Sequence, residues 1–220
     1  MLVRHCVLRG RLRCITGLRI GGSKEDIEIG GQENPIIRHP ITRLPYVPGS
    51  SLKGRMRILL ELKSRPNVRQ TGKPCDCGAC DICRVFGAGD ARRVSSPTRL
   101  LVRDANLTPE SRSWLEKAFQ EKGVYYAESK TEVLIDRVTG VAHGSVGPRT
   151  QERVPAGTEF DLELVLRVFE GDDLKKDKAL IEEGLRLVQR DALGGSGSRG
   201  YGKVEFLDLR WDDEEREVSL

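Results

Sequence analysis

The chain has 220 residues, of which 38% are hydrophobic and 32% are charged, and its formal net charge is +4 at pH 7. This length fits one elaborated domain, or a core with an inserted lobe, and allows a substantial core to be buried. No stretch approaches the roughly 18 apolar residues of a membrane-spanning helix, and the N-terminus lacks the apolar run of a signal peptide. We therefore expect a cytoplasmic protein with no membrane partner.

The net charge is unevenly distributed. The acidic tail, residues 212–220, carries five acidic side chains and one arginine, so that residues 1–211 carry +8. Such an excess suits a nucleic-acid partner, but a solvated arginine-rich surface explains it equally well. Composition alone does not decide between them.

Residues 3–16 alternate with a period of two, which predicts a half-buried strand. Its buried side is expected to consist of Cys6, Leu8, Leu12 and Cys14. Its outer side is expected to be basic and to consist of Arg9, Arg11 and Arg13. The glycine- and proline-rich residues 17–48 form too long a connection for a simple loop, which indicates a functional insertion.

A helix is predicted to begin at a cap formed by Ser50 or Ser51 and to run to about residue 63. Lys53, Arg55 and Arg57 fall in its first turns, where cations oppose the helix dipole. A phosphate bound at this end would relieve that repulsion.

The remaining elements alternate in type. We predict a short strand at 99–105, a helix at 109–122 with Trp114 facing inward, and a projecting hairpin at 131–154. A strand at 159–169, an amphipathic helix at 174–189 and a strand at 203–211 follow. This order predicts an α+β fold with a ferredoxin-like core, the topology of RNA-recognition modules.

Four of the six cysteines lie within nine residues, at Cys75, Cys77, Cys80 and Cys83. In a cytoplasmic protein such clustering favours a metal over disulfides, and four thiolates can close a tetrahedral structural zinc site. A histidine could replace one thiolate if the loop cannot wrap fully. The alternative is a redox-active or unliganded cysteine loop.

A glycine-rich segment precedes the last strand. It follows a helix and leads into a strand, which is the reverse of the order in a dinucleotide-binding fingerprint. Its backbone can approach phosphates closely, and Arg199 and Lys203 supply positive charge. We favour RNA contact over a plain turn.

Several of these segments together resemble the RAMP superfamily, and within it the repeated backbone subunits of type III-A CRISPR effector complexes. The motifs follow one another in family order: residues 17–22, residues 48–54, Ile135-Asp136-Arg137, Pro148-Arg149, Glu152-Arg153 and residues 194–203. The likeness covers most of the chain. The variable parts are a cysteine-rich lobe at 65–97 and the acidic tail.

The resemblance implies a single RAMP domain over 1–220. Its palm would be a modified ferredoxin-like, RNA-recognition fold, with an active-site loop insertion at 17–48 and a hairpin thumb at 123–157. It also implies guide RNA and complementary target RNA as ligands, other subunits of a type III complex as partners, and head-to-tail stacking of copies into a filament. The residues implied to contact RNA are Arg19, Lys53, Arg55, Arg57, Arg137, Arg149, Gly194, Gly195, Gly197, Arg199, Gly200 and Lys203.

The resemblance further implies magnesium-dependent cleavage of the paired target by an acidic residue in the loop after Gly21-Gly22. The corresponding position is Glu33 here, where the family has aspartate, and Asp26 is a second candidate in the same loop. A later Asp-Pro of the family is His39-Pro40 in this chain. Two alternatives stay open: a scaffold subunit without catalysis, and an endonuclease that processes guide precursors with a base such as His39.

Overall fold

The computed structural model describes residues 1–22, 34–65, 68, 71–90, 92, 96–123, 126–143, 147–214 and 217–220. The helices are α1 (Gly49–Ser64), α2 (Asp81–Phe86), α3 (Pro109–Lys122) and α4 (Leu174–Arg190). The strands are β1 (Leu2–Cys14), β2 (Tyr46–Val47), β3 (Leu100–Val102), β4 (Ala105–Asn106), β5 (Glu128–Glu132), β6 (Arg149–Arg153), β7 (Glu159–Phe169) and β8 (Val204–Trp211). The predicted α+β class is therefore confirmed.

The main sheet has the strand order β3-β7-β1-β8, and each neighbouring pair is antiparallel. The long β1–β7 ladder runs from the pair Leu2 and Phe169 to the pair Arg13 and Glu159. Alternation along both strands puts one face into the core, as predicted. The buried side chains are Cys6, Leu8, Leu12, Cys14, Phe160, Leu162, Leu164, Leu166 and Val168.

Helices α1 and α4 pack against each other and share the core of the sheet. Their buried stripes include Leu52, Met56 and Leu60 on α1 and Ile181 and Leu185 on α4. Gly184 faces Met56 at the crossing, where an added Cβ would lie 3.1 Å from the Met56 Cε. The missing side chain thus allows the two helices to approach closely.

The outward arginines of β1 are paired with acids on the neighbouring strands. Arg9 Nε lies 3.1 Å from Glu163, and Arg13 lies 2.6 Å from Glu205. Arg11 contacts Glu159 at 2.6 Å and also pairs with Asp208. The arginines face outward as predicted, but cross-strand pairing neutralises much of their charge. The outer face of the sheet is therefore not a bare basic surface.

Two local predictions were wrong. The cap of α1 is Pro48, which makes no side-chain capping bond, and the helix already includes Ser50 and Ser51. Trp114 is 46% exposed, because α3 buries Ser111 and Leu115 instead. The Ser111 hydroxyl accepts a hydrogen bond from the Glu159 N–H at 2.8 Å, which fixes the face that α3 turns toward β7.

A network of ion pairs joins α2 to the turn before α4. Asp172 receives two hydrogen bonds from Arg99, at 2.9 and 2.8 Å, and both side chains are 7% exposed. Arg84 of α2 contacts Asp177 at 2.8 Å. Paired buried charges of this kind fix the positions of the elements that carry them, because separating the pair would leave an unpaired buried charge, which is strongly destabilising. Among the described residues, no helix is long and apolar enough to cross a membrane.

Candidate metal centre and nucleic-acid interface

The four clustered cysteines come together just before and within α2. All four sulfur atoms lie within 4.8 Å of one another. The Cys75 and Cys80 sulfurs are 4.0 Å apart, and those of Cys77 and Cys83 are 3.9 Å apart. Zinc–sulfur bonds of about 2.3 Å in a tetrahedron place the sulfurs about 3.8 Å apart. The cluster can therefore hold a metal ion, and the loop wraps far enough that no histidine is needed.

The pKa values of two of the clustered thiols are shifted in opposite directions. Backbone N–H groups of Ala79 and Cys80 lower the pKa of Cys77 to about 6. Burial raises the pKa of Cys83 to about 12. A bound cation would supply the positive charge that a buried Cys83 thiolate requires.

The glycine-rich segment packs tightly on the chain that follows β1. The Arg19 carbonyl accepts a hydrogen bond from the Gly195 N–H at 2.8 Å. Gly194 has φ +77°, and a Cβ there would collide with the same carbonyl; Gly202, at φ +71°, would collide with the Leu193 carbonyl. Packing thus accounts for these two glycines. A Cβ at Gly200 would contact no other atom among the described residues, so packing does not require glycine there. Its φ of +83° is the structural reason for a glycine at this position.

Arg19 lies against this segment with part of its hydrogen-bonding capacity unused. Its Nε is buried and has no hydrogen-bond partner among the described residues. A Cβ on Gly195 would be 3.6 Å from a terminal guanidinium nitrogen of Arg19. Buried donors in folded proteins nearly always find a partner. Within the described part of the chain, the Arg19 Nε is therefore an unsatisfied buried donor beside the glycine-rich segment.

A cleft of about 490 Å³ lies between the β5–β6 hairpin and the glycine-rich segment. Lys130, Arg149 and Arg199 supply three cations to its lining, and Glu132 supplies one acid. Arg199 Nε lies 3.1 Å from Glu132, and Lys130 lies 3.6 Å from it. One carboxylate shared between two cations leaves a net positive lining. Two predicted residues, Arg149 and Arg199, are thus brought together from segments 50 positions apart.

The sequence reasoning missed Lys130 and Arg153. Their cationic groups lie 4.5 and 5.2 Å from the centre of the Tyr201 ring, which is 1% exposed. Cation–π contacts thereby tie the base of the hairpin to the glycine-rich segment. The motif Glu152-Arg153 could have identified Arg153, but nothing in the sequence distinguishes Lys130 from other surface lysines.

The predicted RNA-contacting cations of α1 make contacts within the protein. The Lys53 ammonium donates to the Leu100 carbonyl at 2.8 Å, and burial lowers its pKa. Arg55 donates to the Ala192 carbonyl at 2.7 Å and pairs with Asp191 at 3.1 Å. Arg57 points to the cysteine segment. Arg55 therefore borders the glycine-rich segment, while Lys53 and Arg57 face other parts of the fold.

The other predicted residues lie apart from the cleft lining. Arg137 is exposed in the turn between β5 and β6, where the Asp136 carboxylate accepts from the Val138 and Thr139 N–H groups at 2.9 and 2.8 Å. Gly197 begins a short 3-10 turn that ends at Arg199. The Lys203 side chain is exposed at the start of β8.

Glu33 and Asp26, the candidate catalytic residues, lie outside the described residues. The segments on either side of 23–33 meet, because the Gly22 N–H donates to the Pro35 carbonyl at 3.1 Å. Asn34 Nδ2 then donates to the Thr150 carbonyl of β6 at 3.3 Å. The Glu152 carboxylate accepts from the Ile36 N–H at 3.1 Å. The described residues on either side of 23–33 therefore lie together, and those that follow the gap contact β6.

His39, the alternative catalytic base, is used to hold its own turn. Its Nδ1 accepts from the Ile41 and Thr42 N–H groups, both at 3.3 Å. A histidine nitrogen engaged in this way cannot accept a proton without losing both bonds. This arrangement agrees with a local structural role.

Residues 11–205 match the family model described as RAMPs: RAMP superfamily. The chain belongs to the RAMP superfamily. A curated relative from Methanothermobacter thermautotrophicus, named CRISPR system Cms endoribonuclease Csm3, is 46% identical over 94% of this chain and 85% of the relative. The protein of that name from Streptococcus thermophilus is 39% identical over 91% of this chain and 86% of its own length.

Solved structures agree with this assignment. A chain of the Csm3-Csm4 subcomplex of the type III-A CRISPR-Cas interference complex superposes with a TM-score of 0.60 at 32% identity, covering 96% of this chain and 80% of that one. A chain of the type III-B Cmr-beta complex bound to cognate target RNA gives a TM-score of 0.64 at 15% identity, over 94% and 61% of the two chains. The second likeness concerns the fold alone.

Proposed function

We propose that this chain is a guide-RNA-binding backbone subunit of a type III CRISPR interference complex, in which it cleaves the target RNA paired to the guide. The observation that carries the proposal is the cationic cleft, where Arg149 of the hairpin and Arg199 of the glycine-rich segment meet. Guanidinium groups suit phosphate recognition. Relatives at 46% and 39% identity carry the name of an endoribonuclease.

The proposed architecture is a palm with a thumb. The strand order β3-β7-β1-β8, with α1 and α4 as the long crossovers, has the βαββαβ pattern of the ferredoxin-like fold. The β5–β6 hairpin would be the thumb, and RNA would follow the cleft at its base. Copies of the chain would stack head to tail along the guide, with other type III subunits completing the complex.

The four cysteines would hold a structural zinc ion. Four sulfur ligands leave no open position for a substrate or water, as in closed structural sites. When bound, zinc would order the segment between α1 and α2.

Cleavage would depend on the loop insertion. Glu33, or Asp26 in the same loop, would hold a magnesium ion that supplies positive charge at the scissile phosphate. Closure of this loop at Asn34 and Thr150 puts its ends at the base of the same hairpin whose arginine lines the cleft. Binding and cleavage would thus occur on one side of the protein.

The test is cleavage of a labelled target RNA by the assembled complex, with and without magnesium. We expect Glu33→Ala to abolish cutting while guide and target binding remain, and Glu33→Asp to preserve or increase it. Loss of cutting in Asp26→Ala alone would assign the role to Asp26. Wild-type binding without any cutting would instead favour the scaffold alternative.

The precursor-processing alternative has its own test. Purified wild type would be incubated with guide precursor under a chelator, with His39→Ala as the matched variant. We expect no cleavage, because His39 is held in a local turn. Metal-independent cleavage that His39→Ala removes would support processing and contradict our assignment.

A further inference from the structure

Three charged side chains at the C-terminal end of α1 lie beside the cysteine segment. Arg57 and Glu61 are four residues apart on one face of α1, and Arg65 is the residue that caps the helix. Glu61 is 1% exposed, an unusual burial for a carboxylate. A buried charge requires hydrogen-bonding partners, and the partners of Glu61 are Arg57 and the backbone of Cys75 in the metal centre.

The Arg57–Glu61 pair holds both backbone groups of Cys75. Glu61 Oε1 accepts a hydrogen bond from the Cys75 N–H at 3.1 Å. The Arg57 guanidinium donates to the Cys75 carbonyl and, through Nε, to Glu61 Oε1 at 2.9 Å. The three groups form a closed set of contacts. The first cysteine of the cluster is therefore fixed to α1 at its N–H and at its C=O.

Arg65 lies at the same end of α1, close to the sulfur atoms. Its N–H donates to the Glu61 carbonyl at 2.7 Å, which ends the helix beside the cluster. The Arg65 side chain contacts Cys80. Four thiolates around a divalent cation carry a net charge of −2, so cations at this face of α1 would offset it.

We infer that Arg57 and Glu61 are positioning residues of the metal centre, which hold the Cys75 backbone so that its sulfur meets the other three. This inference rests on the proposed metal site. Groups that orient metal ligands commonly change affinity on the order of 10–100-fold when they are removed. Arg57, which the family resemblance implies to be an RNA ligand, thus serves the cysteine cluster instead.

The arrangement links the metal to the cleft through one helix. Arg55 on α1 contacts Ala192 and Asp191, which lead into the glycine-rich segment. Arg57 follows Arg55 by about half a helical turn on α1, and together with Glu61 it contacts the cysteine segment. Ordering the metal centre would therefore stabilise the helix that supports the RNA-facing segment, without the metal contacting RNA.

The test compares Glu61→Gln and Arg57→Gln with a matched control, Glu116→Gln. The control breaks an exposed pair with the same spacing, since Arg112 and Glu116 are also four residues apart and lie 2.8 Å from each other on α3. Zinc content would be measured by elemental analysis, and release by transfer of zinc to a chromogenic chelator. Cobalt replacement would report the ligand geometry through its visible absorption bands.

We expect both variants of the α1 pair to release zinc roughly 10–100-fold faster than wild type and to change the cobalt spectrum. The control, Glu116→Gln, should match wild type in its rate of zinc release and in its cobalt spectrum. If Glu61→Gln folds poorly, Arg57→Gln decides the question.

Two outcomes would contradict this inference, and the experiment tells them apart. Wild type that carries no metal and takes up no cobalt would overturn the metal site and this inference together. Wild type that binds metal, beside variants whose release rate and spectrum equal those of Glu116→Gln, would overturn the inference and leave the metal site standing.

Discussion

Asp104 accepts a hydrogen bond from the N–H of Gly49 at 2.7 Å, so a carboxylate from the turn between β3 and β4 occupies the N-terminus of α1. Gly49 is needed there, because a Cβ would collide with the Val102 carbonyl of β3. The sequence suggested that a phosphate would relieve the cations in the first turns of this helix. The fold supplies an anion of its own at that end.

Replacing Asp104 by alanine should therefore destabilise the protein. Loss of a cap typically costs about 1 kcal/mol in the free energy of unfolding. In a chain of this size, that corresponds to a fall of about 2–4 °C in Tm. Thermal unfolding followed by circular dichroism would measure it. Asp104→Asn keeps an acceptor oxygen and should lose less; an equal loss in both variants would argue against the hydrogen bond as the cause.

The cleft predicts a distinct pattern of RNA binding. Arg149→Ala and Arg199→Ala should each weaken binding to RNAs of different sequence alike, because we expect both to contact phosphates. Each should also reduce the slope of log affinity against log salt by about 1. Filter binding at several salt concentrations would provide both values. Arg112→Ala, which removes an exposed side chain of α3, is the control, and a similar effect there would indicate a nonspecific loss of charge.

The cations of α1 require a separate experiment. Lys53→Ala combined with Arg55→Ala should weaken RNA binding and flatten the salt slope, because Arg55 borders the glycine-rich segment. Both residues also hold the fold through carbonyls of Leu100 and Ala192, so we expect a lower Tm as well. Unchanged RNA binding in a folded double variant would remove α1 from the interface.

The Asp172–Arg99 pair should make stability depend on pH. Arg99 lowers the pKa of Asp172 in the folded protein, so folding favours the carboxylate. Its contribution is present above the unfolded pKa of about 3.9 and is lost as pH falls through the lowered folded value. Asp172→Asn should cost about 3 kcal/mol at pH 7, because Arg99 is left buried without its partner.

Urea unfolding between pH 7 and pH 2.5 would check this. The difference in the free energy of unfolding between wild type and Asp172→Asn should become smaller below about pH 4. The control is Asp208→Asn, which removes an exposed partner of Arg11 and should cost under about 1 kcal/mol. If the difference in the free energy of unfolding did not change with pH, the loss of stability in Asp172→Asn would come from packing alone.

Removal of metal should loosen the segment between α1 and α2. We expect about one zinc per chain in protein purified without added metal, given four sulfurs at tetrahedral spacing. Treatment with a chelator should lower Tm, and zinc should restore it. A metal-free preparation with the Tm of the untreated protein would contradict a structural role.

Much of the fold follows from local patterns in the sequence. The period-two alternation in β1 and β7 predicts their buried faces because the side chains of a strand point alternately to opposite sides. The helical stripe of α4 and the four-cysteine spacing are equally local. Trp114 was misplaced because the face that α3 buries depends on its contact with β7, which no local pattern encodes.

The sequence by itself determined the element types, the core faces of the long strands and the four cysteines that cluster. Only the tertiary structure decided which cations are available. The arginines of β1 and Lys53 look as basic in sequence as Arg149 and Arg199, yet the first group is matched by acids or carbonyls from distant segments. Arg149 and Arg199 instead line a cleft in which three cations face one acid. Charge pairing depends on separations of a few ångströms between residues far apart in the chain, and those separations exist only after folding.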